Sequence, residues 1–165
     1  MNKPLRILHL EDDPDYSELV KAMLEKEGQH VEIVLVDNLT DFVTALEKQS
    51  FDVILGDYNL PDCNGLQALQ TARQKRSETP FLLVSGTIGE QAAIESLRSG
   101  ATDYVLKQRP ERLVPAVRRA VQEAQERVQR KKAETELLRR EKYFRALTEN
   151  SLDILTSLNR DGVFL

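Results

Sequence analysis

Hydrophobic and polar residues follow two alternating patterns over the first 108 residues. Short apolar runs, rich in β-branched residues, predict five strands at residues 5–10, 31–36, 53–56, 81–85 and 103–106. Apolar side chains recur at i, i+3 and i+4 in four intervening segments, which are predicted helices at residues 16–27, 39–49, 66–74 and 90–99. The chain therefore alternates strand and helix, as α/β proteins do.

Some of the apolar runs have no polar face, and Val-Ile-Leu at residues 53–55 is one example. Such strands suit a parallel sheet that helices cover on both sides. Asn38 and Asn64 stand where helix N-caps are expected, and Gly28 and Gly100 stand where helices should end. We therefore expect an α/β, flavodoxin-like, doubly wound sheet of five parallel strands in the order 2-1-3-4-5, with right-handed crossovers and an extended C-terminal helix.

That last helix is predicted to run from about Arg112 to Leu147, because no glycine occurs between Arg112 and Gly162 and the last proline, Pro115, lies in the first turn. Its first part can pack on the sheet through an apolar stripe at Leu113, Val117, Ala120, Val121 and Ala124. Beyond residue 124 the helix is densely charged, and its weak apolar stripe consists of Val128, Leu138, Leu137 and Phe144. This second part is either a solvated helix with i,i+4 ion pairs or a parallel coiled coil that makes the chain a homodimer.

Charge divides the chain at about the same place. Residues 1–108 hold 10 basic against 18 acidic side chains, whereas residues 109–145 hold 12 against 6. The basic segment carries mixed charges and is not followed by a helix-turn-helix pattern, so we expect no nucleic-acid partner. A solvated signalling helix fits this composition better.

Other function classes are excluded by apolar run length and cysteine content. No apolar run approaches the roughly 20 residues that cross a bilayer, and charge interrupts the N-terminal run before a signal-peptide core could form. We therefore expect a cytoplasmic chain without a membrane partner. A single cysteine, Cys63, rules out an intrachain disulfide or a multi-cysteine zinc site.

Acidic residues follow two predicted strands that are neighbours in the 2-1-3-4-5 order. Glu11 and Asp12 follow the first strand, and Asp57 follows the third. Ligands of open α/β sheets bind at the carboxyl ends of the strands, so these three carboxylates should converge. Like charges so close repel unless a cation lies among them, and hard carboxylate oxygens suit Mg²⁺.

Hydroxyl and ammonium groups follow the fourth and fifth strands. Ser85 and Thr87 bring hydroxyls to the same rim, and Lys107 brings an ammonium group. A carboxylate nucleophile, a metal, a hydroxyl donor and a cation together suit a phosphoryl group.

These residues lie in motifs that resemble a known family. The chain contains ILHLEDDP at residues 7–14, DVILGDYNLPDCNG at 52–65, VSGT at 84–87 and GATDYVLK at 100–107. Residues 5–121 thereby resemble a response-regulator receiver (CheY-like) domain of two-component signalling, and the first 121 residues form the predicted domain. The resemblance implies phosphoryl transfer to Asp57 from a histidine kinase or phosphotransfer protein, with no separate enzyme activity.

The resemblance also implies roles for the other residues. Mg²⁺ would be held by Glu11, Asp12, Asp57 and the main-chain carbonyl of Asn59. Lys107 would pair with the phosphoryl oxygens, and Ser85 would reorient toward them. Thr87 would belong to the same phosphoryl-binding switch, and Tyr104 would be the aromatic residue that rotates with activation. Two residues depart from the family pattern. Gly56 replaces a larger residue and predicts a looser strand end, and Gln108 replaces a proline and predicts that the usual cis peptide is absent.

Three other functions fit some of these residues. A Mg²⁺-dependent aspartyl-phosphate phosphatase would need a second acid two residues after Asp57, where this chain has Asn59. A flavin binder would need a loop of small residues after the first strand, where three acids would repel its phosphate. A stand-alone receiver that acts by protein–protein interaction stays open as the main alternative.

The C-terminal segment resembles the opening of a PAS sensor domain. We expect a helical or coiled-coil linker over residues 122–147 and the truncated start of a PAS-like domain over residues 148–165. Its first strand is predicted at residues 153–158, followed by a turn at Asn-Arg-Asp-Gly. This would make the chain part of a longer signalling protein, such as a hybrid histidine kinase or a cyclic-dinucleotide enzyme.

Overall fold

The computed structural model describes residues 3–87 and 89–161, and for residues 151–161 only the backbone course. Five strands form one parallel sheet in the order β2-β1-β3-β4-β5, as predicted. They are β1 (Leu5–Leu10), β2 (Val31–Val36), β3 (Val53–Asp57), β4 (Phe81–Ser85) and β5 (Asp103–Leu106). The predicted fold class is confirmed.

Helices follow the strands in regular alternation. They are α1 (Pro14–Lys26), α2 (Leu39–Lys48), α3 (Gly65–Lys75), α4 (Glu90–Arg98) and α5 (Leu113–Asp161), with a single 3₁₀ turn at Pro110–Arg112 before α5. Asn38 caps α2 and Asn64 caps α3 through side-chain oxygens that accept main-chain N–H groups. Gly28 and Gly100 have positive φ angles, which lets the chain turn sharply after α1 and α4.

The sheet separates two apolar layers, because alternate residues of each strand point to opposite faces. Val20 and Leu24 of α1 pack on one face together with Leu113 and Val117 of α5. On the other face lie α2 and α3, with Phe42, Leu46, Ala68 and Leu69 among their buried side chains. In open α/β sheets covered in this way, ligands bind at the carboxyl ends of the strands.

Gly56 does not loosen the end of β3, contrary to the prediction. It pairs with Leu10 on one side and with Leu83 on the other, so both ladders are intact around it. The ring of Phe81 fills the space of the missing side chain, since a Cβ built on Gly56 would lie 2.7 Å from Phe81 Cζ. A larger neighbour on β4 therefore compensates for the small residue on β3.

Helix α5 extends further than predicted. It continues past Leu147 to Asp161, so the strand predicted at residues 153–158 is wrong. A single strand leaves its main-chain polar groups without partners, whereas a helix satisfies them within the segment. The predicted turn lies partly outside the described residues, because residues 162–165 are not among them.

The chain divides into two units, residues 1–124 and 125–165. The first contains the sheet, helices α1–α4 and the apolar start of α5. In the second, the side chains described in α5 are mostly exposed and charged, with ion pairs between Glu136 and Arg140 and between Glu141 and Arg145. Among the described residues, no helix is both long and apolar enough to cross a membrane.

Candidate functional site

Three carboxylates converge at the carboxyl ends of β1 and β3. The two strands are adjacent, with Leu10 opposite Gly56, so Glu11 and Asp12 emerge beside Asp57. One oxygen from each of the three residues lies within 4.8 Å of the others. Glu11 and Asp57 are buried, whereas Asp12 is exposed. The sequence-based prediction that these residues meet is confirmed.

Lys107 reaches the same site from the end of β5. Its Nζ donates to Oε2 of Glu11 at 2.7 Å and to Oδ2 of Asp57 at 2.8 Å. The ammonium also lies 4.4 Å from the centroid of the Tyr16 ring, at the start of α1. The main-chain N–H of Lys107 donates to the carbonyl of Ser85, which anchors this residue to the end of β4. Lys107 thus neutralises part of the charge of the carboxylate cluster.

Burial and charge shift the pKa values of the groups around this cation. Burial raises the pKa of Glu11, and the nearby charge of Asp57 raises it further, although Lys107 opposes both effects. Burial alone would lower the pKa of Lys107, but its hydrogen bonds to Asp57 and Glu11 outweigh burial and raise it. Burial also raises the pKa of Tyr16 to about 12. Near neutral pH, Lys107 is therefore a firmly protonated counter-charge.

The donor set fits a small, hard divalent cation. All three candidate ligands are carboxylate oxygens, and the exposure of Asp12 leaves room for the water ligands that Mg²⁺ retains. Three negative charges face a single ammonium, so the cluster keeps an excess of negative charge for a cation. Asn59, the fourth predicted metal ligand, lies in the exposed loop after β3, and its N–H donates to Oδ1 of Asp57 at 3.1 Å.

The loop after β4 is tied together by hydrogen bonds to Thr87. The buried Ser85 hydroxyl donates to the Thr87 carbonyl at 2.9 Å, and the Tyr104 hydroxyl donates to the same carbonyl at 3.3 Å. The side-chain amide of Gln108 donates to the carbonyl of Gly86. Ser85 therefore engages the loop in this conformation, and Asp57 is held by Lys107.

The comparisons with known proteins agree with this geometry. A family model described as the response regulator receiver domain matches residues 7–118. The chain belongs to this family. No cis peptide bond occurs among the described residues of this receiver domain, so the prediction that the Lys107–Gln108 bond is not cis is confirmed.

Curated relatives of the receiver domain include the cell cycle response regulator CtrA of Brucella ovis and of Brucella abortus. Each is 33% identical over 103 residues, which is 62% of this chain and 44% of the relative. The matched region thus spans less than half the length of those relatives.

Solved structures resemble the receiver domain as well. A CheY-like receiver domain protein from Methanospirillum hungatei is 26% identical, with a TM-score of 0.68 over 76% of this chain and 99% of that one. The receiver domain of sensor histidine kinase PA1611 from Pseudomonas aeruginosa, with magnesium coordinated in its active site cleft, is 25% identical, with a TM-score of 0.62 over 72% of this chain and 98% of that one. An adenylate cyclase from Rhodopirellula baltica shares only the fold, at 19% identity and a TM-score of 0.70 over 79% of this chain and 97% of that one.

Two residues of the site were not predicted from the sequence to contribute to it. Tyr16 lies beneath Lys107, and its position three residues after the Asp13 cap of α1 is the signal that could have indicated it. The second residue is His9, which is buried in β1. Its Nε2 lies 4.0 Å from Oε2 of Glu11, at the edge of the site.

Proposed function

We propose that this receiver domain accepts a phosphoryl group on Asp57 from a phosphohistidine of a histidine kinase or phosphotransfer protein, with Mg²⁺ bound by Glu11, Asp12 and Asp57. The observation that carries the proposal is the convergence of three carboxylates with one ammonium at the carboxyl edge of the sheet. The magnesium reported for the PA1611 receiver domain supports the choice of cation.

In this reaction an oxygen of Asp57 attacks phosphorus in line with the leaving imidazole. The O–P bond forms while the P–N bond breaks, and the electron pair of that bond returns to the imidazole nitrogen. Mg²⁺, when bound, neutralises charge on the transferring oxygens. Asn59 contributes its N–H to Oδ1 of Asp57 and so helps to fix the orientation of the attacking carboxylate.

Lys107 can pair with the negative charge at Asp57 both before and after phosphorylation. It binds Oδ2 of Asp57 before transfer, and the same ammonium can neutralise a phosphoryl oxygen once that carboxylate is esterified. Ser85 would then turn from the Thr87 carbonyl to another phosphoryl oxygen, and Tyr104 would lose its partner in the loop. In this account phosphorylation shifts an equilibrium between two loop arrangements.

Passage of the signal through α5 is the second part of the proposal. The four residues of the predicted stripe each expose more than two fifths of their surface, namely Val128, Leu138, Leu137 and Phe144. A second copy of the chain offers the same stripe, so a parallel coiled coil would cover both. An output region beyond α5 would receive the signal at the end of this helix pair.

Beryllofluoride, a mimic of the acyl phosphate, tests the site without a kinase. With Mg²⁺ present, it should shift the amide resonances of Gly86, Thr87 and Tyr104 in the wild-type chain. Asp57→Ala removes the oxygen that binds beryllium and should abolish these shifts. Shifts that persist in Asp57→Ala or in the presence of EDTA would reject the proposed site.

A further inference from the structure

One buried polar atom beside the site has no role in the function proposed above. His9 lies in β1 between apolar residues, and none of its side-chain surface is exposed. Its Nδ1 lies 2.9 Å from the Ser17 hydroxyl oxygen, but its Nε2 is buried without a hydrogen-bond partner. A buried polar atom without a partner is costly, and functional sites are where such costs are tolerated.

The unpartnered Nε2 of His9 lies near a Glu11 oxygen that already accepts a hydrogen bond from Lys107. Nε2 of His9 lies 4.0 Å from Oε2 of Glu11, which is too long for a hydrogen bond. That oxygen accepts the hydrogen bond from Lys107 at 2.7 Å. The other oxygen of the carboxylate, Oε1, accepts from the main-chain N–H of Asp13 at 3.2 Å. If Lys107 leaves, Oε2 loses its donor, and His9 is the adjacent buried group that can replace it.

Ser17 sets the position of the imidazole proton. Its hydroxyl can donate to Nδ1 of His9, which places the single N–H of the neutral ring on Nε2. The opposite tautomer would turn the Nε2 lone pair toward the Glu11 carboxylate, and electrostatic repulsion disfavours that arrangement. Burial and the charge of Lys107 lower the pKa of His9 to about 3, consistent with a neutral ring.

We propose that His9 is a positioning residue for the metal site: when Lys107 turns from Glu11 to the phosphoryl group on Asp57, Nε2–H of His9 donates to Oε2 of Glu11 and keeps this carboxylate oriented toward the cation. The inference rests on the proposed phosphorylation of Asp57. The main-chain N–H of Asp13 would then hold Oε1 of Glu11, and Nε2–H of His9 would hold Oε2. His9 acts on Glu11 alone and contacts neither phosphoryl group nor metal.

Mg²⁺ affinity, measured by calorimetry with and without beryllofluoride, tests this role. In the beryllofluoride complex His9→Leu should bind Mg²⁺ about tenfold more weakly, the effect of one lost hydrogen bond to a charged group. Without beryllofluoride its affinity should stay within about twofold of wild type, because Lys107 then holds Glu11. His9→Gln places an amide N–H near the former Nε2 position and should restore most of the loss.

Proton–nitrogen correlation NMR of the imidazole N–H in the wild-type chain gives a readout that does not depend on the folding of any variant. Addition of Mg²⁺ and beryllofluoride should move the Nε2–H proton of His9 downfield, as a new hydrogen bond to a carboxylate does. An unchanged resonance, or equal Mg²⁺ losses in His9→Leu with and without beryllofluoride, would overturn the role of His9. A wild-type chain that binds neither Mg²⁺ nor beryllofluoride would instead overturn the proposed function itself.

Discussion

The side-chain amide of Gln108 donates a hydrogen bond to the main-chain carbonyl of Gly86. The bond joins the segment after β5 to the loop after β4, next to the Ser85 hydroxyl and the Thr87 carbonyl. Gln108 stands where the family pattern has a proline, which has no side-chain donor. This chain therefore has an additional hydrogen bond to the loop after β4, and the proposed function requires that loop to move.

Loss of the hydrogen bond from Gln108 to Gly86 should make the loop after β4 more mobile. In Gln108→Ala the amide of Thr87 should exchange with solvent faster than in wild type, because one of the bonds that hold the loop is gone. Amide hydrogen exchange measures this directly. Gln70→Ala, which removes an exposed glutamine of α3, is the matched control and should leave the exchange unchanged. Equal exchange in wild type and Gln108→Ala would show that the bond does not restrain the loop.

The contact between Gly56 and Phe81 predicts a packing defect with a specific rescue. Gly56→Ala should lower the free energy of unfolding by about 1–3 kcal/mol, because the new Cβ overlaps the Phe81 ring. Urea denaturation gives this value. Phe81→Leu alone leaves unfilled space and should also destabilise the chain, so the double variant should be more stable than the two single effects predict when added. Strict additivity would mean that the two residues do not share this space.

His9 should make stability depend on pH below neutrality. Its pKa is lowered to about 3, so the folded chain resists a proton that the unfolded chain takes up near pH 6.5. The stability from neutral His9 is therefore fully present above about pH 6.5 and is lost as pH falls toward 3, by at most about 1.4 kcal/mol per pH unit. Urea denaturation of wild type and His9→Leu should show unfolding free energies that converge or cross between pH 6 and 4. His30→Leu, which removes an exposed imidazole, is the control, and curves for His9→Leu parallel to wild type would contradict the prediction.

The exposed stripe of α5 should hold two chains together. Val128→Lys places a charge in the stripe and should shift the chain toward monomer in sedimentation at micromolar concentration. Gln129→Lys adds the same charge at the next position, off the stripe, and should leave the dimer intact. Truncation at Gln122 should also give a monomer. A wild-type chain that is monomeric at these concentrations, or a dimer that survives the truncation, would exclude this interface.

The sequence was sufficient to predict the strand order and the carboxylate cluster, but not the detailed pairing within the site. Strand order and the meeting of Glu11, Asp12 and Asp57 could be predicted because they follow from apolar runs and from the general position of sites in parallel sheets. The pairing of Lys107 with both Glu11 and Asp57 depends on the distances between the ends of β1, β3 and β5. Neither spacing nor residue type along the chain contains that distance.

Local strand propensity was misleading where no neighbour was available. Residues 153–158 have the composition of a strand, but no adjacent strand is present among the described residues, and the segment continues α5. The same limitation applies to Gly56, whose missing side chain is replaced by a ring from a different strand. Both errors concern contacts that the chain makes only after it has folded.

Covalent labelling of Asp57 tests the central claim most directly. Phosphoramidate, a small donor with a P–N bond like that of phosphohistidine, is incubated with the chain and Mg²⁺, and the intact mass is measured. The account predicts one added phosphoryl group per wild-type chain, none on Asp57→Asn, and none on the wild type when EDTA removes the metal. Phosphoryl incorporation into Asp57→Asn at the wild-type level, or labelling that is indifferent to EDTA, would contradict it.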